Sequence, residues 1–312
     1  MNSRSRYILS SGVRRLSSVV RCWMKASPGA LVVMLWLSTF PSAASDGYPH
    51  DVDSGTTEVS AWKLGLVGGV TVGAWIVGHG VLNDVWWKGE EVPFHVNTTT
   101  DYSYALGADK VGHMVFSYAV TTVYGDLFRW CGMDSVTAIW SGAGVAMAYQ
   151  TYVEVRDGFS EGYGFSWGDM AANTIGSSLP VIKHYVPALR PFDLQISFFP
   201  SEAFKNGEYN ALIDDYTSTT HWLAMNVYDV LPHPWQEWYP PWLGVALGHT
   251  VENIDGKGGG NHAWYLSLDW NLSRLKGLPV WLSSVLRVLH LYHLPAPAVK
   301  LYPNVVWYGL RF

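Results

Sequence analysis

Residues 109–129 read DKVGHMVFSYAVTTVYGDLFR, and this stretch decides how the middle of the chain folds. Its apolar residues and its lack of proline predict one helix. Asp109 and His113 are four residues apart, so their side chains share a helix face. Lys110 points about 100° away from them and is expected to pair with Asp101 or to reach an interface. Ionisable groups in apolar surroundings are costly unless they are paired or functional.

Two later stretches carry more polar groups at helical spacing. The helix predicted after this one ends in EVRDG, which brings Glu154 and Asp157 close together. The next predicted helix begins in FSWGDMAAN, which opens as a capping box and places Asp169 and Asn173 on one face. We expect six side chains to converge between three helices: Asp109, His113, Glu154, Asp157, Asp169 and Asn173.

Two interpretations of this cluster remain open. Carboxylates with one imidazole suit a divalent metal ion, the only cofactor the sequence suggests. Its candidate ligands are Asp109, His113, Glu154, Asp157 and Asp169. Such an ion could activate water against a phosphoester or acyl bond of an envelope lipid, which would make the protein a hydrolase. The other interpretation, which we place first, is a buried polar network with a structural role, since no known nucleophile motif accompanies the cluster. The sequence does not decide whether the protein is an enzyme.

The predicted fold is mainly α, a glycine-packed bundle of about four helices. The first helix covers residues 64–82, where Gly65, Gly69 and Gly73 recur every four residues as in a glycine zipper. This run either spans a membrane or forms a buried helix of a soluble domain. The other helices are expected at 109–129, at 135–155 and from about residue 166.

The C-terminal part has a different amino-acid composition, which is rich in proline and aromatic residues. Strands are predicted at 243–254, 263–272 and 305–312, with a helix at 279–291. We therefore expect a helical domain over residues 62–190 and a C-terminal region over 191–312. That region would hold about three antiparallel strands and one helix.

Composition and charge bear on where the protein works. Charged residues make up 14% of the chain, and its 17 Trp and 18 Tyr favour membrane interfaces. Residues 1–44 are predicted to be a signal peptide and 45–61 a linker. Because residues 1–44 hold six basic residues and no acidic one, their removal would change the net charge from −5 to −11. This charge argues against nucleic acid as a partner and leaves membrane lipid or an envelope protein, with the oligomeric state open.

Several short motifs together resemble a known family. They are Trp86-Trp87, Pro93-Phe-His95, Asp109-Lys-x-x-His113, Glu154-x-x-Asp157-Gly158 and Gly164-Phe-Ser-Trp-x-Asp169 with Asn173. In this combination the chain resembles the YfiM-like proteins, envelope proteins and often lipoproteins with a domain of unknown function. It is more distantly similar to VanZ-like membrane proteins. The resemblance implies a periplasmic or outer-membrane-associated protein in the cell envelope of a Gram-negative bacterium, and it brings no established activity.

Overall fold

A computed structural model describes residues 58–207, 214–255 and 258–311. The predicted signal peptide and most of the predicted linker lie outside these residues. Within them, four long helices account for the first half of the chain. They are α1 (Ala61–Val85), α2 (Ala108–Trp130), α3 (Ser135–Asp157) and α4 (Trp167–Tyr185). Each lies within a few residues of a helix predicted from the sequence.

Local capping sets the starts of two of these helices. The Asp134 carboxylate accepts hydrogen bonds from the backbone N–H groups at Val136 and Thr137, so α3 begins at residue 135. The Ser166 hydroxyl accepts from the backbone N–H of Asp169 and starts α4. α4 continues through Pro180 and ends at Tyr185.

Helices α2, α3 and α4 pack closely through small residues. A Cβ atom added to Gly142 on α3 would lie 2.6 Å from the carbonyl oxygen of Thr121 on α2. One added to Gly176 on α4 would lie 2.1 Å from the carbonyl oxygen of Met114, also on α2. Only glycine allows backbones to approach so closely. These contacts fix the three helices that carry the predicted polar cluster.

The predicted glycine zipper on α1 is wrong. Gly65, Gly69 and Gly73 have no described atom within 4 Å of the position that a Cβ would take, so none of the other described helices packs on them. Val67 and Leu82 are its only described buried residues. Among the described helices, α1 alone is long and apolar enough to cross a membrane, judged by length and composition. A buried helix of a soluble domain does not fit this exposure.

The second half of the chain overturns the mainly α prediction, because it forms a six-stranded antiparallel sheet. The strands lie in chain order: β1 (Phe192–Phe198), β2 (Thr219–Met225), β3 (Leu243–Glu252), β4 (Asn261–Trp270), β5 (Ala296–Tyr302) and β6 (Val306–Arg311). The strands predicted near β3, β4 and β6 are confirmed, and the helix predicted at 279–291 is α8 (Val280–Leu289). Three short one-turn helices fill the connections: α5 (Glu202–Lys205), α6 (Val227–Val230) and α7 (His233–Gln236). The fold is therefore mixed, and the estimate of about three strands is wrong.

The sheet meets the helices at β1 and β2. Register pairs His221 of β2 with Ile196 of β1, and His221 lies beside α2. A Cβ added to Gly112 of α2 would be 3.5 Å from its Nε2 atom. The opposite face of the sheet has its own apolar core, in which Trp222 and Tyr265 are almost wholly buried. This arrangement brings the N-terminal end of α2 next to the sheet.

Candidate functional site

The first turn of α2 holds Asp109 in place. Gly107, with a φ of 78°, occupies the position before the helix, so Asp109 lies inside the first turn and does not cap it. Its carboxylate accepts a hydrogen bond of 2.7 Å from the hydroxyl of Tyr216. Burial alone would raise the pKa of Asp109, but His113 and Lys110 outweigh burial and hold this pKa below its ordinary value. Asp109 is therefore ionised at neutral pH.

Lys110 lies at the centre of three carboxylates. Its Nζ atom is 2.8 Å from an oxygen of Asp101, 2.8 Å from one of Asp169 and 3.2 Å from one of Asp109. Burial would lower the pKa of Lys110, but the three carboxylates raise it above its ordinary value. The expected pairing with Asp101 is confirmed, whereas the two contacts to the predicted cluster were not foreseen. We call Lys110 and these three carboxylates the Lys110 network.

The His113 ring lies between carboxylates on both sides. Its Nε2 atom is 3.7 Å from an oxygen of Asp109 and 3.9 Å from one of Asp169. Its Nδ1 atom is 3.6 Å from an oxygen of Glu154 and 3.2 Å from the amide oxygen of Asn173. The structure thus brings four of the other five predicted side chains around the His113 imidazole.

Asn173 is fully buried and binds residues that the sequence did not single out. Its amide oxygen accepts from the Ser117 hydroxyl at 3.0 Å and from the Gln150 amide at 2.6 Å. Gln150 is also 3.1 Å from the Nδ1 atom of His113. Both residues are uncharged, so the only sequence signal for them is their spacing. Ser117 lies four residues after His113 on α2, and Gln150 lies four residues before Glu154 on α3.

Glu154 is a buried carboxyl group near the end of α3. Burial, together with the nearby charges of Asp169 and Asp157, raises its pKa to about 9. It therefore carries a proton at neutral pH. One of its oxygens accepts from the backbone N–H of Ser166 at 3.3 Å, and the other has no hydrogen-bond partner among the described residues.

Asp157 lies to one side of the cluster. Its carboxylate accepts a hydrogen bond of 2.6 Å from the indole N–H of Trp87. Burial raises the pKa of Asp157 to about 6, although Trp87 and His113 oppose the shift. Asp157 thus influences the cluster through its charge, and its hydrogen bond goes to Trp87.

The predicted five metal ligands do not surround a single point. Donor atoms of Asp109, His113 and Asp169 all lie within 4.8 Å of one another, which suits one divalent ion. Glu154 approaches the other nitrogen of the imidazole, and Asp157 binds Trp87. Three of the five residues could therefore share an ion.

A cleft of about 380 Å³ opens beside the cluster, and Tyr216 forms part of its wall. It is lined by Ser103, Tyr104, Ala105, Leu106, Asp214, Tyr216, Ile254, Asp255, Gly258 and Gly259. Ala105 and Leu106 have positive φ values of 46° and 53°, which non-glycine residues seldom adopt. Because the Tyr216 hydroxyl bonds to Asp109, this residue separates the cleft from the polar cluster.

One comparison with known proteins gives a match. Residues 98–185 match the family described as "Predicted periplasmic lipoprotein (DUF2279)", whereas no curated protein and no solved structure matches the chain. The matched segment contains α2, α3 and α4 with all six predicted site residues, and the description agrees with an exported, envelope-associated location. The match does not test the YfiM-like name or the VanZ-like likeness. Across these three helices the chain is similar to a periplasmic lipoprotein family of unknown function.

Proposed function

We propose that this protein has a structural or maintenance role at an envelope membrane, and that the Lys110 network holds its helices in register. The observation that carries the proposal is the ammonium group of Lys110, which lies within 3.2 Å of oxygens from three carboxylates. Asp101, Asp109 and Asp169 come from the loop before α2, from α2 and from α4. One side chain therefore ties three segments together.

The charges of the network favour a structural reading. The three carboxylate side chains are at most 13% exposed, so their charges need a nearby cation. Lys110 supplies one, and protonation of Glu154 removes a further negative charge from the site. The Nζ atom of Lys110 lies 2.8 Å from an Asp169 oxygen and would therefore compete with a metal ion for this carboxylate.

The network reaches the sheet through Tyr216. The tyrosine hydroxyl donates to the Asp109 oxygen at 2.7 Å, and its burial with Asp109 nearby raises its pKa, so it stays protonated. Residues 214–218 lead directly into β2. The same carboxylate therefore joins α2 to the C-terminal half, as a structural network would require.

Attachment to a membrane is supported by α1. It is the described helix with membrane-spanning length and composition, and it exposes Val72 and Ile76, which are 60% and 67% exposed. Exposed apolar surface of this extent is costly in water. In this proposal α1 contacts lipid while α2, α3 and α4 form the part held by the Lys110 network.

A metal-assisted hydrolase is the second candidate, because donor atoms of Asp109, His113 and Asp169 lie within 4.8 Å of one another beside an open cleft. These three residues would hold the ion. A bound ion would supply an activated water against a phosphoester or acyl bond. In this candidate Lys110 would have to move away from Asp169.

Metal content separates the two candidates. We expect purified full-length protein to contain far less than one equivalent of any divalent metal, and its melting temperature to be unchanged by EDTA or by added Zn²⁺ or Mn²⁺. His113→Ala should lower the melting temperature, whereas His233→Ala, an exposed histidine on α7, should not. One equivalent of bound metal that is lost in a folded His113→Ala variant would overturn the structural proposal in favour of the hydrolase.

A further inference from the structure

β4 alternates between two kinds of side chain. Its first face is exposed or half-buried and carries large apolar residues: Trp264, Leu266, Leu268 and Trp270. Its second face is buried and carries small or polar residues: Ala263, Tyr265, Ser267 and Asp269. A sheet with one face in water shows the reverse arrangement, with polar residues outside.

The apolar face continues across neighbouring strands. Strand register aligns one residue from each of five strands in a row: Leu223, Leu247, Leu266, Val299 and Trp307. Three leucines of this row are 40–48% exposed, and Trp307 is 80% exposed. We call this row, together with Trp264, Leu268 and Trp270, the outer face of the sheet. Its extent marks an interaction surface.

The charged residues of the sheet all lie on the opposite face. By register, every Asp, Glu, Lys and Arg within the six strands projects to the buried side: Asp193, Glu252, Asp269, Lys300 and Arg311. There Lys300 bonds to Glu252 at 2.6 Å, and the Arg311 guanidinium lies 4.6 Å from the Tyr265 ring centre. The outer face therefore offers a partner no carboxylate, ammonium or guanidinium group.

Aromatic residues lie at both ends of the apolar band on β4. Trp264 and Trp270 are six residues apart, which corresponds to about 20 Å along a strand. Trp270 packs against Trp242 at 6.0 Å, and Trp264 packs against His249 at 4.6 Å. An apolar band between two aromatic rims, without charged side chains, is the pattern that sheets present to lipid.

We propose that the outer face of the sheet contacts the hydrocarbon layer of an envelope membrane. A protein partner fits less well, because protein interfaces carry about one hydrogen bond per 100–200 Å². The row of leucines offers no side-chain donor or acceptor, and two histidines of this face, His249 and His262, lie at its Trp264 end and bond to each other at 3.0 Å. The negative net charge of the chain also argues against attraction to anionic headgroups as the cause of binding. This inference uses the envelope location but is independent of the Lys110 network.

The test uses a fluorophore placed on the outer face. Full-length protein with Cys22→Ser and Cys131→Ala carries an NBD label on Leu266→Cys, or on Glu202→Cys as a control at a charged, exposed site of α5. Each sample is mixed with phosphatidylcholine vesicles whose acyl chains are brominated. We expect strong quenching and a blue shift at position 266, unchanged by 0.5 M salt, and little quenching at position 202.

A second variant distinguishes contact through the sheet from attachment of the protein through α1 alone. Leu247→Arg should lower the equilibrium constant for insertion of the outer face into the vesicle membrane about 30-fold or more, and it should remove the quenching at position 266. Circular dichroism would check the fold, which should persist because Leu247 is 40% exposed. Equal quenching at 202 and 266 would overturn the proposal. So would an absence of quenching together with a dimer that Leu247→Arg dissociates, since the outer face would then be a protein interface.

Discussion

Replacement of Lys110 by methionine tests the network most directly. Methionine keeps much of the apolar stem but removes the ammonium group, which leaves Asp101, Asp109 and Asp169 without their shared cation. Removing one partner of a buried ion pair costs about 3–5 kcal/mol. Since Lys110 is 17% exposed, we expect a loss near the lower end, about 3 kcal/mol at pH 7. This corresponds to a fall of roughly 6–12 °C in melting temperature.

The loss should depend on pH in a defined direction. In the wild type the pKa values of Asp101 and Asp109 are lowered, so their stabilisation exists above the ordinary aspartate pKa and disappears as pH falls through the folded values. Without Lys110, burial should raise both pKa values, and the variant should gain stability relative to the wild type as the pH falls. The difference between the two proteins should therefore shrink between pH 7 and pH 4.

Urea unfolding of the detergent-solubilised protein at pH 7 and at pH 4.5, followed by tryptophan fluorescence, measures this difference. Lys205→Met is the matched control, because Lys205 forms an exposed pair with Glu202 on α5 and should contribute less than about 0.5 kcal/mol. The reasoning is refuted if Lys110→Met costs less than about 1 kcal/mol at pH 7, or if its cost does not change with pH.

Three further perturbations test neighbouring parts of the structure. Glu154→Gln should flatten the pH dependence of stability between pH 5 and pH 9, because a carboxyl group whose pKa is raised to about 9 costs stability as pH rises through that range. Urea titrations at several pH values measure this dependence, and an unchanged slope would contradict the prediction. Asn173→Ala should destabilise the fold by about 2 kcal/mol by leaving buried donors unpaired, and calorimetry giving a change under about 0.5 kcal/mol would count against the arrangement. Gly176→Ala should destabilise the fold by about 1–3 kcal/mol, because its Cβ would meet the Met114 carbonyl. Gly69→Ala is the control: with open space around it, this substitution should be neutral or stabilising in the same melting assay. Equal effects of the two substitutions would refute the close approach of the helices.

The helices of the site could be predicted because their signals are local. A long uncharged run locates α3, and the Ser166 capping box locates α4, each within a few residues. Helical spacing within each of the three polar stretches also identified five side chains that do lie together. Asp157 was misplaced because helix spacing gives only the face of a side chain, and the Trp87 indole determines where this carboxylate binds.

Lys110 shows that the helix face of a residue does not by itself decide whether its side chain joins a buried cluster. Its Cβ points about 100° away from that of Asp109, but its four-carbon chain lets the ammonium group reach the cluster. Its partner Asp101 lies in a loop, where sequence spacing carries no geometric information. Long side chains from adjacent faces must therefore be included when a buried cluster is predicted.

The sheet was underestimated because its strands do not show the pattern of a sheet in water. β2 reads TTHWLAM, in which buried Trp222 and Ala224 flank exposed Leu223. Both faces of this strand therefore carry apolar residues, and the expected alternation of polar and apolar positions is absent. β5 contains Pro297, and a proline in such a run argues against predicting a strand there from the sequence.

Polar contacts also join the two halves of the chain. α2 reaches the C-terminal half twice, through the Asp109 bond to Tyr216 and through the Tyr118 hydroxyl, which donates to Asp193 at 2.6 Å. Lys183 of α4 bonds to the same Asp193 carboxylate, and with this partner the pKa of Asp193 lies far below its ordinary value. Part of the charged face of the sheet is thus held against the helices, whereas the outer face meets α2 near His221 and exposes Leu223, Leu247 and Leu266.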